Sequence, residues 1–126
     1  MSSVLVVDDS QTLRFMMTEL LRANAFKVTA VRDGEEALQQ IEEDCPDVVV
    51  LDIVMPRLNG YEVCRRLKSN PATQNVSVIL CSSNATDVDR YWGLKQGADA
   101  YLCKPFRPEE LIDTVKQVLQ GTISHR

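Results

Sequence analysis

The sequence has few of the residues that build zinc and redox centres. It contains one histidine and four cysteines, and no two cysteines stand in a C-x-x-C pair. Structural zinc sites need four such ligands at close spacing, so this composition argues against one. The histidine, His125, lies close to the C-terminal end and is treated as incidental. We predict reduced thiols, most of them buried as small hydrophobic side chains, at Cys45, Cys64, Cys81 and Cys103.

Long hydrophobic runs and clusters of basic residues are also absent. No apolar stretch approaches the roughly 20 residues that span a membrane. The 14 basic and 18 acidic residues give a net charge of −4, and the basic ones are scattered, which argues against nucleic-acid binding by this domain. The first residues, Met1 to Ser3, lack the basic segment of a signal peptide. We therefore predict a cytoplasmic protein with no membrane insertion.

What the chain does have is a regular alternation of two hydrophobic periods. Five short apolar segments are typical of strands, and each is followed by a segment with apolar residues at helical spacing. Such alternation predicts a parallel sheet with right-handed crossovers and helices on both faces. We therefore predict an α/β fold with five helices and a flavodoxin-like, doubly wound sheet of order 2-1-3-4-5, spanning residues 1–121. The predicted strands are Ser3–Asp8, Phe26–Val31, Val48–Asp52, Val76–Cys81 and Asp99–Cys103.

Capping residues mark the starts of two predicted helices. Asp33 and Asn59 each precede a segment of helical period, and each is followed three residues later by a glutamate, Glu36 or Glu62. This spacing is typical of a capping box, in which the two side chains bond to each other's backbone N–H groups. The second and third helices are therefore predicted to begin there.

The fourth helix is less clearly defined by its pattern. Asn84 and Asp87 indicate its start, and Gly97 its C-terminal end. The helical period alone does not decide whether Tyr91 or Trp92 faces the core. We expect at least one of the two to pack there.

Polar residues stand at the ends of four of the five predicted strands. Asp8 and Asp9 end the first strand and Asp52 the third, while Ser82 follows the fourth and Lys104 the fifth. In the order 2-1-3-4-5 these four strands are neighbours, and open α/β sheets bind ligands beyond the carboxyl ends of their strands. Taken alone, Asp8, Asp9 and Ser82 are better explained as ordinary turn or cap residues, and Lys104 is equally well explained as a solvated lysine. Their joint placement predicts a functional site with Asp52 at its centre.

The residue types at these strand ends suit phosphoryl transfer. Three carboxylates in one cleft repel each other unless a cation is present, and a hard ion with oxygen ligands, Mg²⁺ or Mn²⁺, is the simplest one. Lys104 and Ser82 suit phosphoryl oxygens, as a point charge and a hydroxyl donor. An aspartate activated by a metal can attack a phosphoryl group and become an aspartyl phosphate. Asp52 is the predicted nucleophile.

These motifs resemble the receiver domain of two-component response regulators. The resemblance extends from about Val4 to Leu119 and implies a domain that signals by altered binding, with no catalysis beyond its own phosphorylation and dephosphorylation. Any one of the motifs is weak, and together they are highly specific. They are Val7-Asp8-Asp9, Asp52 with Met55-Pro56 and Gly60, Ser82, Tyr101 and Lys104-Pro105.

The resemblance implies a phosphodonor and a metal. Asp52 would accept a phosphoryl group from the phosphohistidine of a histidine kinase. Asp9, Asp52 and the backbone carbonyl of Val54 would ligate Mg²⁺, and Asp8 would help through a bound water. A downstream protein target would dock near the fifth strand and its flanking helices.

The resemblance also implies a switch. Lys104 would pair with the phosphoryl oxygens, Ser82 would move to hydrogen-bond one of them, and the backbone N–H of Ser83 would assist. Tyr101 would rotate inward behind Ser82. The peptide bond between Lys104 and Pro105 would be cis.

Within the family, two features suggest a subgroup. We expect no output domain after residue 121 and only a short tail at residues 122–126, which resembles stand-alone regulators of the chemotaxis type. Residues Asp89 to Ala98 look like regulators of chemosensory systems for type IV pilus motility. Val54 and Asn84 occupy the positions where the family tunes hydrolysis of the acyl phosphate. Because Val54 offers no side-chain hydrogen bond to water, we predict slow autodephosphorylation.

Three other functions remain open from the residues alone. A Mg²⁺-dependent phosphohydrolase with an aspartyl-phosphate intermediate usually carries an acid two residues after its nucleophile, where this chain has Val54. A flavodoxin-like cofactor binder has a hydroxyl-rich phosphate loop after the first strand, where this chain has Asp8 and Asp9. A degenerate receiver that works without phosphorylation is argued against by the intact acidic, hydroxyl and lysine positions.

Overall fold

The computed structural model describes residues 1–83 and 86–121, without the side chains of Asp87 and Val88. The predictions on Asn84 and on residues 122–126, with His125, lie outside the described residues. Strands and helices alternate along the described chain as β1 (Ser3–Val7), α1 (Gln11–Ala23), β2 (Lys27–Val31), α2 (Gly34–Glu43), β3 (Val48–Asp52), α3 (Gly60–Ser69), β4 (Ser77–Ser82), α4 (Asp87–Lys95), β5 (Ala100–Cys103) and α5 (Pro108–Gln120).

The strands form one parallel sheet in the order β2-β1-β3-β4-β5. The predicted fold class and strand order are therefore confirmed. The strand bounds differ by one residue at several ends: β1 stops at Val7, before Asp8, and β4 includes Ser82. All five residues of β3 are buried, as expected for the central strand of a sheet covered on both faces.

Two hydrophobic layers cover the sheet, and neighbouring residues of each strand belong to opposite layers. On one face, alternate residues of β1, β3 and β4 pack against α1 and α5, with Leu21 and Leu111 fully buried. On the other face, the intervening residues pack against α2 and α3, with Ala37 and Leu67 at the contact. Because all five strands are parallel, their carboxyl ends lie at one rim of the sheet.

The predicted capping boxes form only in part. Asp33 and Asn59 are N-caps, and their side chains accept from the backbone N–H of Glu36 and Glu62. The Glu36 carboxylate instead accepts from the backbone N–H of Arg32 at 2.9 Å and pairs with the Arg32 guanidinium. Nearby arginines likewise take the carboxylate of Glu62. Charge-assisted contacts with arginine thus replace the second half of each box.

The expectation that Tyr91 or Trp92 packs into the core is wrong. Both side chains are more than half exposed, at 57% and 54%, and their rings contact each other edge to face. The N-cap of α4 is Thr86, whose hydroxyl accepts from Asp89 N–H. Gly97 follows the helix with a φ of 99°, in agreement with the predicted C-terminal end.

The cysteine prediction holds for two of the four residues. Cys64 and Cys81 are buried, and burial raises the pKa of each thiol to about 12. Cys45 is exposed and Cys103 is half-buried, so the expectation that most are buried is wrong. Among the helices described, none combines the length and the apolar character needed to cross a bilayer.

Candidate functional site

Two buried carboxylates and one ammonium group meet at the carboxyl rim of the sheet. Asp8 and Asp52 are 1% and 6% exposed, at the ends of neighbouring strands. Lys104, from the loop after β5, donates to Asp8 Oδ2 at 2.8 Å and to Asp52 Oδ1 at 3.2 Å. Side chains more than 40 residues apart in the chain are therefore brought together by the strand order alone.

A third carboxylate joins this pair. Asp9 is exposed, and one oxygen from each of Asp8, Asp9 and Asp52 lies within 4.8 Å of the other two. All three ligand atoms are hard oxygen donors, and Lys104 supplies a single positive charge against three negative ones. The cluster therefore fits a divalent cation such as Mg²⁺ in both donor type and charge.

The loop after β1 holds Asp8 in place through its own backbone. Asp8 Oδ1 accepts from the backbone N–H of Ser10 at 2.9 Å, and Ser10 then caps α1 by accepting from Leu13 N–H. Arg14, one turn into α1, donates from Nη1 to the carbonyl oxygen of Asp8 at 2.8 Å. Arg14 could not be recognised from the sequence, because its spacing from Asp8 matches no motif.

The loop after β3 is closed against Asp52 itself. Gly60 N–H donates to the Ile53 carbonyl at 2.9 Å, and a Cβ at position 60 would collide with the backbone of Asp52 and Ile53. Glycine is therefore required where α3 begins. Arg57, at φ 67°, pairs with Asp33 and Glu35 at the start of α2. This second arginine also went unrecognised in the sequence.

Burial and neighbouring charges shift the pKa values of the ionisable groups in this site. The pKa of Asp52 is raised, first because the carboxyl is buried and second because Asp8 lies beside it, with Lys104 opposing both effects. Burial would lower the pKa of Lys104, but hydrogen bonds and charges from Asp8 and Asp52 outweigh it and raise the pKa. The ammonium is thus firmly charged, while the Asp52 carboxylate is under-compensated.

The predicted phosphoryl-binding residues surround this cluster. Ser82 is 2% exposed at the end of β4, and its backbone carbonyl accepts from Lys104 N–H at 2.8 Å. Ser83 is exposed and, with Lys104, lines a cavity of about 290 Å³. The peptide bond between Lys104 and Pro105 is cis, in agreement with the prediction.

Tyr101 and Val54 flank the site on two sides. Tyr101 is half-buried in β5, and a side-chain hydrogen bond joins it to Ser82. Val54 lies two residues beyond Asp52, and its side chain is 64% exposed. The structure therefore brings Asp8, Asp9, Asp52 and Lys104 together, and the roles of Ser82, Ser83, Tyr101 and Val54 stay predictions.

Comparison with known proteins identifies the family. The family described as "Response regulator receiver domain" matches residues 4–116. Protein PilH of Pseudomonas aeruginosa is 36% identical over 121 residues, covering 96% of this chain and 100% of PilH. The DNA-binding response regulator MtrA of Mycobacterium tuberculosis is 39% identical over 117 residues, covering 93% of this chain but 50% of MtrA.

A solved structure agrees with these sequence relatives. The chemotaxis protein CheY4 of Vibrio cholerae superposes with a TM-score of 0.89 at 30% identity, covering 94% of this chain and 98% of CheY4. Strand order, acidic rim and sequence relatives lead to one assignment. The chain belongs to the response regulator receiver domain family, the signalling domains of two-component systems.

Proposed function

We propose that this receiver domain accepts a phosphoryl group on Asp52 from a histidine kinase and signals by altered protein binding. The observation that carries the proposal is the contact of the half-buried Lys104 with the buried carboxylates of Asp8 and Asp52, next to the buried residue Ser82. A lysine that bridges two acids is poised to change partners when one acid becomes an acyl phosphate.

The transfer is a nucleophilic displacement at phosphorus. A carboxylate oxygen of Asp52 forms the new P–O bond, the P–N bond of the phosphohistidine breaks, and the imidazole nitrogen keeps the electron pair. Lys104 already donates to Asp52 Oδ1, so its ammonium is positioned to neutralise the incoming phosphoryl oxygens. Burial keeps competing water from most of the carboxylate.

The acidic cluster would also hold the metal. Asp9 and Asp52, the carbonyl of Val54, and Asp8 through a water are the proposed ligands of Mg²⁺. When bound, the ion supplies charge neutralisation for the carboxylates and for the phosphoryl group. The residues themselves orient the nucleophile: Ser10 N–H fixes Asp8, and Gly60 allows α3 to close against the backbone of Asp52.

Phosphorylation would act as a switch through charge. It adds nearly two negative charges and three strong acceptors at Asp52. Ser82 and Lys104 gain new partners, and Tyr101, which is hydrogen-bonded to Ser82, must respond to the loss or rearrangement of that contact. The resulting population shift is limited by the difference in stabilisation between the two states.

The decisive experiment is incubation with acetyl phosphate and Mg²⁺, followed by intact mass spectrometry. We expect one added phosphoryl group, and none in Asp52→Asn. The matched control is Asp47→Asn, an exposed aspartate at the opposite end of β3 that accepts from Ser3. Phosphorylation that persists in Asp52→Asn, or that is absent in the parent, would overturn the proposal.

The proposal includes no turnover of external substrates. The phosphohydrolase alternative needs an acid two residues after the nucleophile, and the exposed side chain there is the apolar Val54. Incubation with small phosphate esters should therefore give no turnover beyond self-dephosphorylation. Sustained release of phosphate from such an ester would restore the enzyme as the better candidate.

Output and location complete the proposal. The identity to PilH over its whole length, with the resemblance of Asp89 to Ala98 noted above, supports a stand-alone regulator of pilus motility or taxis. The exposed side chains of Tyr91, Trp92 and Leu94 on α4 support target docking beside β5. We propose a cytoplasmic location, because a histidine kinase takes the phosphoryl group that it donates from ATP.

A further inference from the structure

The loop between β3 and α3 contains a strained turn with Arg57 at its centre. The backbone N–H of Leu58 donates to the carbonyl of Pro56 at 2.7 Å, which closes a three-residue γ-turn, and Arg57 between them has a φ of 67°. A γ-turn of this hand is rare and strained, and a residue with a Cβ is disfavoured at such a φ. Contacts outside the turn must therefore hold Arg57 in this conformation.

Two carboxylates at the start of α2 supply those contacts. Arg57 Nη2 donates to Asp33 Oδ2 at 2.9 Å, and Arg57 Nε donates to Glu35 Oε1 at 2.6 Å. The Asp33 carboxylate is itself oriented, because its other oxygen caps α2 by accepting from Glu36 N–H at 2.9 Å. A guanidinium bound by two carboxylates, one of them fixed by a helix cap, has a defined geometry that a lone exposed ion pair lacks.

The backbone of the loop also lies directly against this end of α2. A Cβ on Gly34 would lie 3.0 Å from the Leu58 carbonyl oxygen, so glycine permits the close approach. At its base, the loop is joined to α3 by the hydrogen bond from Gly60 N–H to the Ile53 carbonyl. The loop is thus fixed at its base by backbone contacts and at its tip by α2, where Arg57 makes the charged contacts.

We propose that Arg57 is a positioning residue for the metal site, because its ion pairs with α2 hold the loop, and with it the carbonyl of Val54, in the conformation that binds Mg²⁺. The inference rests on the proposed function, in which that carbonyl is a ligand of the ion. Val54 lies three residues before Arg57, and its side chain is 64% exposed, so packing of that side chain does little to fix its carbonyl. Without the ion pairs, the strained turn opens and the carbonyl is no longer held.

The direction of the effect separates positioning from simple electrostatics. A positive charge near the acidic cluster repels Mg²⁺, so the removal of an arginine would by itself tighten Mg²⁺ binding. The loss of a positioning contact weakens binding instead. Weaker binding of a cation after the removal of a positive charge is therefore the result that distinguishes the proposal.

The test is a titration of Mg²⁺ into the metal-free protein, followed by the backbone amide chemical shifts of Asp9 and Ile53. Arg57→Gln should raise the Kd about tenfold, as the loss of a group that orients a metal ligand does. The matched control is Arg32→Gln, which removes a similarly exposed arginine whose partner, Glu36, lies on α2 and not on the loop. This control should bind Mg²⁺ at least as tightly as the parent.

Two further measurements address the turn itself. In EDTA, the amide proton of Leu58 should exchange with solvent several-fold faster in Arg57→Gln than in the parent, because its hydrogen bond to Pro56 opens more often. Arg57→Gly lacks the ion pairs but adopts this φ without strain. Its Kd for Mg²⁺ should therefore lie between those of the parent and Arg57→Gln.

Three outcomes would overturn the proposal. They are a Kd in Arg57→Gln equal to or below that of the parent, an equal rise in Arg32→Gln, and a Kd in Arg57→Gly no lower than that in Arg57→Gln. The failure of the proposed function is distinguishable from all three, because in that case Mg²⁺ would shift no amide even in the parent.

Discussion

The two ends of the parallel sheet differ in how the charges of their acidic side chains are balanced. At the amino end, the Asp99 carboxylate has its own cation, Lys68 at 2.9 Å, and accepts from Val78 N–H at 2.8 Å. At the carboxyl end, Asp8, Asp9 and Asp52 lie together with one ammonium, that of Lys104. At the amino end one carboxylate is paired with one ammonium, whereas the carboxyl end carries an excess of negative charge.

The difference separates polar groups that hold the fold from polar groups that do chemistry. Lys68 also donates to the carbonyl of Val76 at 2.8 Å, so its network ties α3 to the sheet and leaves a small residual charge. The carboxyl end destabilises the domain in the absence of a counterion, and the raised pKa of Asp52 reports that cost. Unbalanced buried charge of this kind is typical of functional sites.

The largest effect should come from removing the ammonium of Lys104 at the carboxyl end, compared with removing that of Lys68 at the amino end. Lys104→Met removes the ammonium that contacts Asp52 and should slow phosphorylation by acetyl phosphate about a hundredfold, as the loss of a donor to developing charge slows catalysis in enzymes. Time-resolved intact mass in saturating Mg²⁺ measures the rate. The matched variant Lys68→Met should phosphorylate at the parental rate. Equal phosphorylation rates in the two variants would show that the Lys104 ammonium has no special part in phosphorylation.

For stability, in contrast to phosphorylation, we expect a clear effect from Lys68→Met. Lys68→Met leaves Asp99 without its cation and strips a donor from the Val76 carbonyl. It should lower the free energy of unfolding by about 2 kcal/mol, a reduced value because both side chains are one-fifth to one-quarter exposed. Urea unfolding followed by circular dichroism gives this number. An unfolding free energy equal to that of the parent would mean that this pair is not structural.

Neutralising the central acid should stabilise the domain. Asp52→Asn in EDTA should raise the free energy of unfolding, because burial and the neighbouring Asp8 disfavour the ionised Asp52 carboxylate in the folded state. Because burial raises the pKa of Asp52, the folded state binds its proton more tightly than the unfolded chain does. The parent therefore gains stability as pH falls from 7 through the raised pKa toward 3.8, and the advantage of Asp52→Asn disappears there.

The same urea titrations at several pH values test this prediction, with Asp47→Asn as control for an exposed aspartate. Saturating Mg²⁺ should reverse the order of stabilities, because the ion binds only the folded parent with its acids intact. A variant less stable than the parent in EDTA at every pH would show that the acidic rim is already balanced without a cation.

The sequence predicts one part of this comparison far better than the other. Strand ends could be read because buried β-branched runs stop abruptly at polar residues, and the sheet order then brings Asp52 and Lys104 together. Lys68 and Asp99 have no such signal, since they are 31 positions apart and meet through the packing of α3 on the sheet. The supporting arginines, Arg14 and Arg57, went unrecognised for the same reason.

The sequence also failed to predict which side of α4 faces the core. Tyr91 and Trp92 are large apolar residues in the helical period of α4, and at least one of them was therefore expected to pack on the sheet. The Tyr101 ring, however, occupies the space between the sheet and Gly93 of α4. Tertiary packing therefore decided what the period left open.

The smallest effect concerns water at the edge of the carboxyl rim. Val54 is 64% exposed, two residues beyond Asp52, and offers no hydrogen bond to a water that attacks the acyl phosphate. Val54→Asn supplies a side-chain amide there and should shorten the phosphate lifetime several-fold by orienting that water. Loss of the phosphorylated mass after removal of acetyl phosphate measures the lifetime, and Val54→Leu controls for the change of side chain. An unchanged half-life in Val54→Asn would mean that hydrolysis is governed inside the rim, by the balance of charge around Asp52, and that the exposed edge has no part in it.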